Sequence, residues 1–262
     1  MPGRGVLVLL GAGIGSVGSL CGIGGGLFAT PIQHYGLRVP LPRAVATSLA
    51  VVFCTAVSST LTELVRGDSS VPWSLALAAI PGALVGAQLG ARVVERLPVR
   101  TVKTLFAVTF VAVALRMLLG LSGDAPAPEA ALELARRSLL LAPVLGLVAG
   151  VVVPVLGIGG GLLLVPGALL IAPELGFAEA RGFSLTVAVF TSARALWLRH
   201  RAGLVDVDRG VGLGVGCALG ALGGVALSRL AEALVAGQLI FSGILLYSAV
   251  RFGRDALRGA AD

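Results

Sequence analysis

Apolar residues fill this chain in ten blocks, approximately 6–20, 27–37, 44–65, 71–91, 101–121, 138–156, 162–172, 183–198, 210–228 and 233–250, separated by short clusters of charge. A bilayer needs about 20 apolar residues per helical span, so the longer blocks predict membrane-crossing helices and an all-α polytopic membrane protein. Blocks 27–37 and 162–172 are too short to cross. Eleven residues of helix rise only about 16 Å, against a hydrocarbon core of about 30 Å. Each short block follows the same kind of break. Gly22-Ile23-Gly24-Gly25-Gly26-Leu27, trailed by Pro31, returns as Gly157-Ile158-Gly159-Gly160-Gly161-Leu162, trailed by Pro166.

The duplication extends beyond these breaks. Arg43-Ala44-Val45-Ala46-Thr47-Ser48-Leu49 aligns with Glu179-Ala180-Arg181-Gly182-Phe183-Ser184-Leu185, the Gly82, Gly86, Gly90 stripe aligns with Gly216, Gly220, Gly224, and Arg116 aligns with Arg251, at an offset of 134–136 residues throughout. The chain therefore divides into a first transmembrane repeat (1–121), a polar linker (122–137) too short to be a domain, and a second transmembrane repeat (138–262). Matched irregular segments at corresponding positions of two hydrophobic halves point to a transporter with its substrate site at the repeat interface.

Composition sharpens this reading. Hydrophobic residues make up 56% of the 262 and charged residues 13%, against about 25% charged in a soluble domain, so little mass lies outside the bilayer. The net charge of +7 sits in short loops, where the positive-inside rule accounts for it, and nucleic acid is not a partner. The first block follows Arg4 as a signal peptide would, but the same pattern recurs mid-chain, so it is read as retained structure. Cysteines at 21, 54 and 217 have no metal-ligand spacing, and no cofactor is expected.

Charge also decides topology. If every block crosses fully, the two sides carry ten and eight Lys/Arg, almost no bias. If each glycine cluster is instead the tip of a half-depth hairpin, the split becomes thirteen to five, with Arg66, Arg136, Arg137, Arg181 and Arg229 on the poorer side. The rich side is cytoplasmic. Each half then holds a glycine-tipped broken-helix hairpin plus three transmembrane helices. Three crossings per half invert the second repeat and place both termini in the cytoplasm.

Consecutive glycines at membrane mid-depth need a reason, because backbone amides there must be paired or line a cavity. Helix N-termini returning from the two tips favour an anion. The candidate substrate ligands are Gly24, Gly25 and Gly26 with Thr47 and Ser48 in the first half, and Gly159, Gly160 and Gly161 with Ser184 in the second. Arg194, one turn inside its block from Arg199, is a further candidate. Pro31 and Pro166 belong to the motif, while the two glycine stripes allow close helix approach. Glu63 and Arg116 lie near block ends, where interfacial solvation is the simpler account, and Gln33, His34 and Gln88 are polar residues worth testing. No converging acid, base, nucleophile or metal cluster points to an enzyme, and no catalytic residue is assigned.

On the paired glycine clusters with their prolines, Ala46-Thr47-Ser48 and Gly182-Phe183-Ser184, the chain resembles the TauE/SafE family of sulfite and sulfoacetate exporters. The resemblance covers nearly the whole length. It implies secondary transport of small sulfur-containing anions (sulfite, sulfonate, sulfoacetate or thiosulfate-like) across the bacterial cytoplasmic membrane. The alternative is a permease or channel for another small organic anion. The implied partners are the anion, the bilayer, a coupling ion (proton or sodium) and a second copy of the chain in a homodimer. Ala46 replaces a glycine common in the family, and Phe183 stands where a hydroxyl residue is expected, so the site is expected to be asymmetric.

Overall fold

A computed structural model of the chain describes residues 3–66, 69–93, 111, 114–115, 128–156 and 160–258. The described residues are helical or irregular. The elements are α1 (Arg4–Cys21), α2 (Gly26–Pro31) running into a π-helical turn (Ile32–Gly36), α3 (Leu41–Val65), α4 (Trp73–Val93), α5 (Pro128–Leu156), α6 (Gly161–Ile171), α7 (Phe177–Arg201), α8 (Val207–Leu227) and α9 (Ala231–Arg258). Among the described residues, six helices are long and apolar enough to cross a membrane: α1, α3, α4, α5, α8 and α9. The protein is an all-α polytopic membrane bundle.

Local chemistry explains the boundaries. Helix α1 stops because Gly22 turns left-handed (φ 75°) and the Ile23 N–H then reaches back to the Gly18 carbonyl at 2.9 Å, the bond of a glycine-terminated helix end. The first turn of α3 accommodates Pro42, whose missing N–H would have no intrahelical partner there. Asp206 caps α8, its Oδ1 accepting from the Arg209 N–H at 3.1 Å. Helix α6 is apolar all round and buried from Gly161 to Leu169, as a helix without a polar face must be.

Two differences from the sequence expectation concern length. The shortness of each broken pair is confined to the return arms, α2 and α6. The limbs leading to the breaks, α1 with 18 residues and α5 with 29, are of span length. They extend outward past their apolar blocks, α1 to Arg4 and α5 to Pro128, so residues 128–137 of the expected linker form the opening turns of α5. The expected span at 101–121, with Arg116, lies outside the described residues apart from 111, 114 and 115. The expected span 183–198 lies within α7, which is helical but is not among those six.

The glycine stripes make the largest interfaces. A Cβ at Gly82, Gly86 or Gly90 of α4 would overlap the carbonyl oxygen of Pro143, Leu147 or Val151 of α5. One at Gly216, Gly220 or Gly224 of α8 would overlap that of Val8, Ala12 or Ser16 of α1. The reverse faces match: Gly146 and Gly150 of α5 meet the carbonyls of Ala79 and Ala83, and Gly11 and Gly15 of α1 meet those of Leu213 and Cys217. Each of these glycine-to-carbonyl contacts of one interface maps onto the other at the repeat offset. The first helix of each half thus clasps the fourth helix of the other, and the halves are interlocked rather than side by side.

Candidate functional site

The first glycine break is a folded object with its own backbone geometry. Gly22, Gly24 and Gly25 all have positive φ (75°, 73° and 79°), a conformation that costs a residue with a side chain about 1–2 kcal/mol. Gly18 makes room for the returning chain: a Cβ there would stand 2.5 Å from Gly25 N. A Cβ on Gly25 would meet Ile14 Cγ2 at 2.8 Å, and one on Gly24 would meet Val52 Cγ1 at 3.1 Å. The loop is therefore gripped between α1 and α3, and residues 22–26 are buried. Gly26 opens α2.

The second break meets it. A Cβ on Gly161, the first residue of α6, would overlap Gly22 O and Ile23 Cα. Ser184 of α7 donates its hydroxyl to Gly22 O at 2.8 Å. Gly161, Ser184 and the first glycine loop thus come together in the protein interior. Gly159 lies outside the described residues. Gly160 has ordinary helical torsions (φ −60°, ψ −16°), so it differs in backbone from its counterpart Gly25 (φ 79°). Where Gly25 must be left-handed, Gly160 need not be glycine for conformational reasons.

The hydroxyls divide. Ser48 of α3 donates to Val45 O at 2.8 Å and accepts from Thr30 Oγ1 of α2 at 2.9 Å, tying the return arm to α3 beside the loop. Thr47 is engaged elsewhere: its Oγ1 accepts from the Asp206 N–H at 3.1 Å, at the start of α8. Arg194 is not brought to the loop either. It lies ten residues beyond Ser184 on the same helix, about 15 Å along it. There it donates to Gln88 Oε1 of α4, stacks on Trp197 at 4.6 Å, and lines a cavity of about 410 Å³ with Leu84, Val85, Gln88 and Leu89.

Gln33 stands out among the polar residues. It lies in the π-helical turn one turn after Thr30, is fully buried, and neither atom of its side-chain amide has a hydrogen-bond partner among the described residues. An unpaired buried amide costs about 1–3 kcal/mol, and π-helical turns recur at functional sites.

Sequence reasoning missed the strongest electrostatic feature. Arg181, expected in a loop, and Glu63, read as solvated at the interface, are 2% and 3% exposed and form an ion pair, Nη2 to Oε1, at 2.8 Å. Arg229 Nη2 approaches the other carboxylate oxygen at 3.6 Å. Arg181 also donates through Nη1 to Ser19 O at 3.2 Å, and a Cβ on Gly22 would stand 3.0 Å from its Cγ. The two residues come from different halves, so only tertiary packing unites them. The signal in the sequence was the departure from the repeat: Val45 occupies the position of Arg181 in the first half, inside an otherwise apolar match.

These features define a polytopic membrane protein with interlocked halves, helices broken by glycine at their junction, and buried polar groups at the breaks. The family model for sulfite exporter TauE/SafE matches residues 1–117 and 142–261. The chain belongs to this family. It is 39% identical over 116 residues to probable membrane transporter protein MamO of Magnetospirillum gryphiswaldense and, to the same extent, to that of Paramagnetospirillum magneticum. It is 29% identical over 105 residues to probable membrane transporter protein YunE of Bacillus subtilis. These matches cover 42% and 40% of this chain, but only 18% of either MamO and 38% of YunE. No solved structure matches the chain.

Proposed function

We propose that the chain is a secondary transporter of small sulfur-containing oxyanions, built as two inverted repeats, with the anion passing where the two glycine breaks meet. The observation that carries this reading is the contact of Gly161 with Gly22 and Ile23 in the buried interior. It puts two irregular backbone segments from opposite halves at one point, the arrangement by which repeat transporters build a central site. Ser184 and Ser48 hold the breaks in position through their hydrogen bonds to Gly22 O, Val45 O and Thr30. The buried Gln33 amide, with no hydrogen-bond partner among the described residues, supplies polar atoms to the passing anion.

Uptake into everted membrane vesicles with a panel of labelled anions tests the site and substrate class together. Wild-type protein is expected to move sulfite-type anions. Gly25→Val, with its left-handed backbone and its clash with Ile14, is expected to abolish uptake at equal protein level, while Gly160→Ala retains it. Full transport by Gly25→Val removes the site from the first break, and uptake confined to sulfur-free organic anions overturns the substrate class.

The contact exchange between α1–α8 and α4–α5 supports a two-fold relation between the halves, and the thirteen-to-five charge split supports an axis in the membrane plane. Cysteines introduced at Pro128 and Arg201 are expected to react with an impermeant maleimide from the outside and from the cytoplasm respectively. Labelling of both from one side rules out the inversion.

A further inference from the structure

Arg194 and the cavity beside it take no part in the glycine breaks. Helices α4 and α7 run parallel: Val71, just before α4, packs against Gly182 near the start of α7, and Gln88 near the end of α4 meets Arg194 near the end of α7. Between their later turns lies the cavity of about 410 Å³ lined by Leu84, Val85, Gln88, Leu89 and Arg194. Its α4 wall is a different face from the Gly82, Gly86, Gly90 stripe that packs on α5. Leu84, Val85 and Leu89 are 37%, 51% and 41% exposed there. Exposed apolar side chains of a membrane-crossing helix have acyl chains as their solvent, so the cavity opens sideways onto lipid. Arg194 is the one charged group of its lining. The partners it has among the described residues are neutral, the Gln88 amide oxygen and the Trp197 ring at 4.6 Å. Arg201, two turns further along α7, stacks on the same ring at 4.1 Å. Neither guanidinium forms an ion pair among the described residues. Two cations gathered on one ring beside an apolar groove call for an anion.

We propose that this groove binds an anionic phospholipid, its phosphate held by Arg194 and Arg201 and an acyl chain lying along Leu84, Val85 and Leu89. The guanidinium fork matches a phosphate group, and the Gln88 amide oxygen and the Trp197 ring hold the Arg194 fork in place. Trp197 is 42% exposed, as suits an aromatic ring at the membrane–water interface. Helices α4 and α7 both end on basic residues, Arg92 in one and Arg199, His200 and Arg201 in the other. The charge split makes that end cytoplasmic, the side on which basic pockets between spans take lipid headgroups. An anionic headgroup such as phosphatidylglycerol brings a phosphate with no cation of its own. A choline headgroup brings a cation that competes with the arginines for the same phosphate. The lipid joins α4 of the first half to α7 of the second.

Trp197 reports on its own site. The chain has two tryptophans, so Trp73→Phe leaves Trp197 as the one fluorophore of its kind. This parent protein is reconstituted in phosphatidylcholine vesicles and titrated with lipids carrying brominated acyl chains, which quench a tryptophan they touch. Brominated phosphatidylglycerol is expected to quench about twentyfold more effectively than brominated phosphatidylcholine, about fivefold for each arginine at the headgroup. Arg194→Gln is expected to lower that preference about fivefold, and Arg194→Lys to keep most of it. Arg201→Gln, at the exposed helix end, is expected to lower it equally and carries the test should Arg194→Gln not fold. Arg4→Gln removes a charge at the same end of the bundle, beside Asp208 at the start of α8, and is expected to leave the preference unchanged. Equal quenching by the two lipids in the parent, or a preference unaltered by Arg194→Gln and Arg201→Gln, overturns the site. Displacement of brominated phosphatidylglycerol by inorganic phosphate in the buffer would assign the arginines to a soluble anion and overturn the lipid. Each readout is independent of transport, so failure of the central anion site leaves this result standing.

Discussion

Gly220→Leu is expected to eliminate folded protein, while Gly223→Leu, three residues along the same helix, leaves it at the wild-type level. A Cβ on Gly220 would overlap the carbonyl oxygen, carbonyl carbon and Cα of Ala12, all backbone atoms of α1, whereas one on Gly223 meets nothing within 4 Å. Overpacking a core typically costs about 1–3 kcal/mol because neighbouring side chains can shift. Here the obstacle is main chain, so α1 and α8 must separate along their length, and the packing of Gly216 and Gly224 against Val8 and Ser16 is disrupted with it. Gly86→Leu is expected to do the same at the α4–α5 interface, where Leu147 O stands in the way. Fluorescence-detected gel filtration of the four proteins, wild type included, reads the outcome directly. A monodisperse Gly220→Leu protein at normal yield would mean that α1 and α8 are not in contact.

The second large effect belongs to the buried ion pair. Glu63→Met is expected to destabilise the protein by about 3–5 kcal/mol, the cost of leaving a buried charge without its partner. Arg181→Met should be milder, because the Glu63 carboxylate keeps Arg229 at 3.6 Å as a partner. The double variant Glu63→Met/Arg181→Met should recover most of the loss, since a buried pair replaced by apolar residues of similar volume is often neutral or better. Denaturant titration of the three variants in one detergent decides it. Equal losses in both single variants, with no recovery in the double, would mean that the two side chains do not share an energetic partnership.

Membrane residence, the duplication and the glycine breaks are local properties of the chain. Hydrophobic runs of span length can do little else than cross a bilayer, and three glycines in a row cannot continue a buried helix without special packing. These followed from Val6–Leu20, Gly22–Gly26 and their repeats at a constant offset. The close approach expected of the stripes was likewise local, since a four-residue glycine period places bare backbone on one helix face. Which helix fills that face is a long-range matter. That α1 packs on α8 and α4 on α5 depends on the halves interlocking, which no window of sequence contains.

The candidate site was legible in part for the same reason. Gly22–Gly26 announced a break, but only the fold brings Gly161 and Ser184 against it, and only backbone torsions separate Gly25 from Gly160, because identical residues took different conformations under different neighbours. Thr47 and Arg194 have residue types suited to an anion, yet their partners are Asp206 and Gln88, chosen by which helix each faces. Glu63 and Arg181 read as interfacial because each lies near the end of an apolar block. The ends of α3 and α7 are covered by other helices, so packing turned two surface charges into a buried pair. The sequence by itself determined the solvent this protein lives in, its duplicated plan and where its helices break, since each depends on residues close in the chain. Only the tertiary structure decided which breaks meet and which charges pair, since those contacts join residues more than a hundred positions apart.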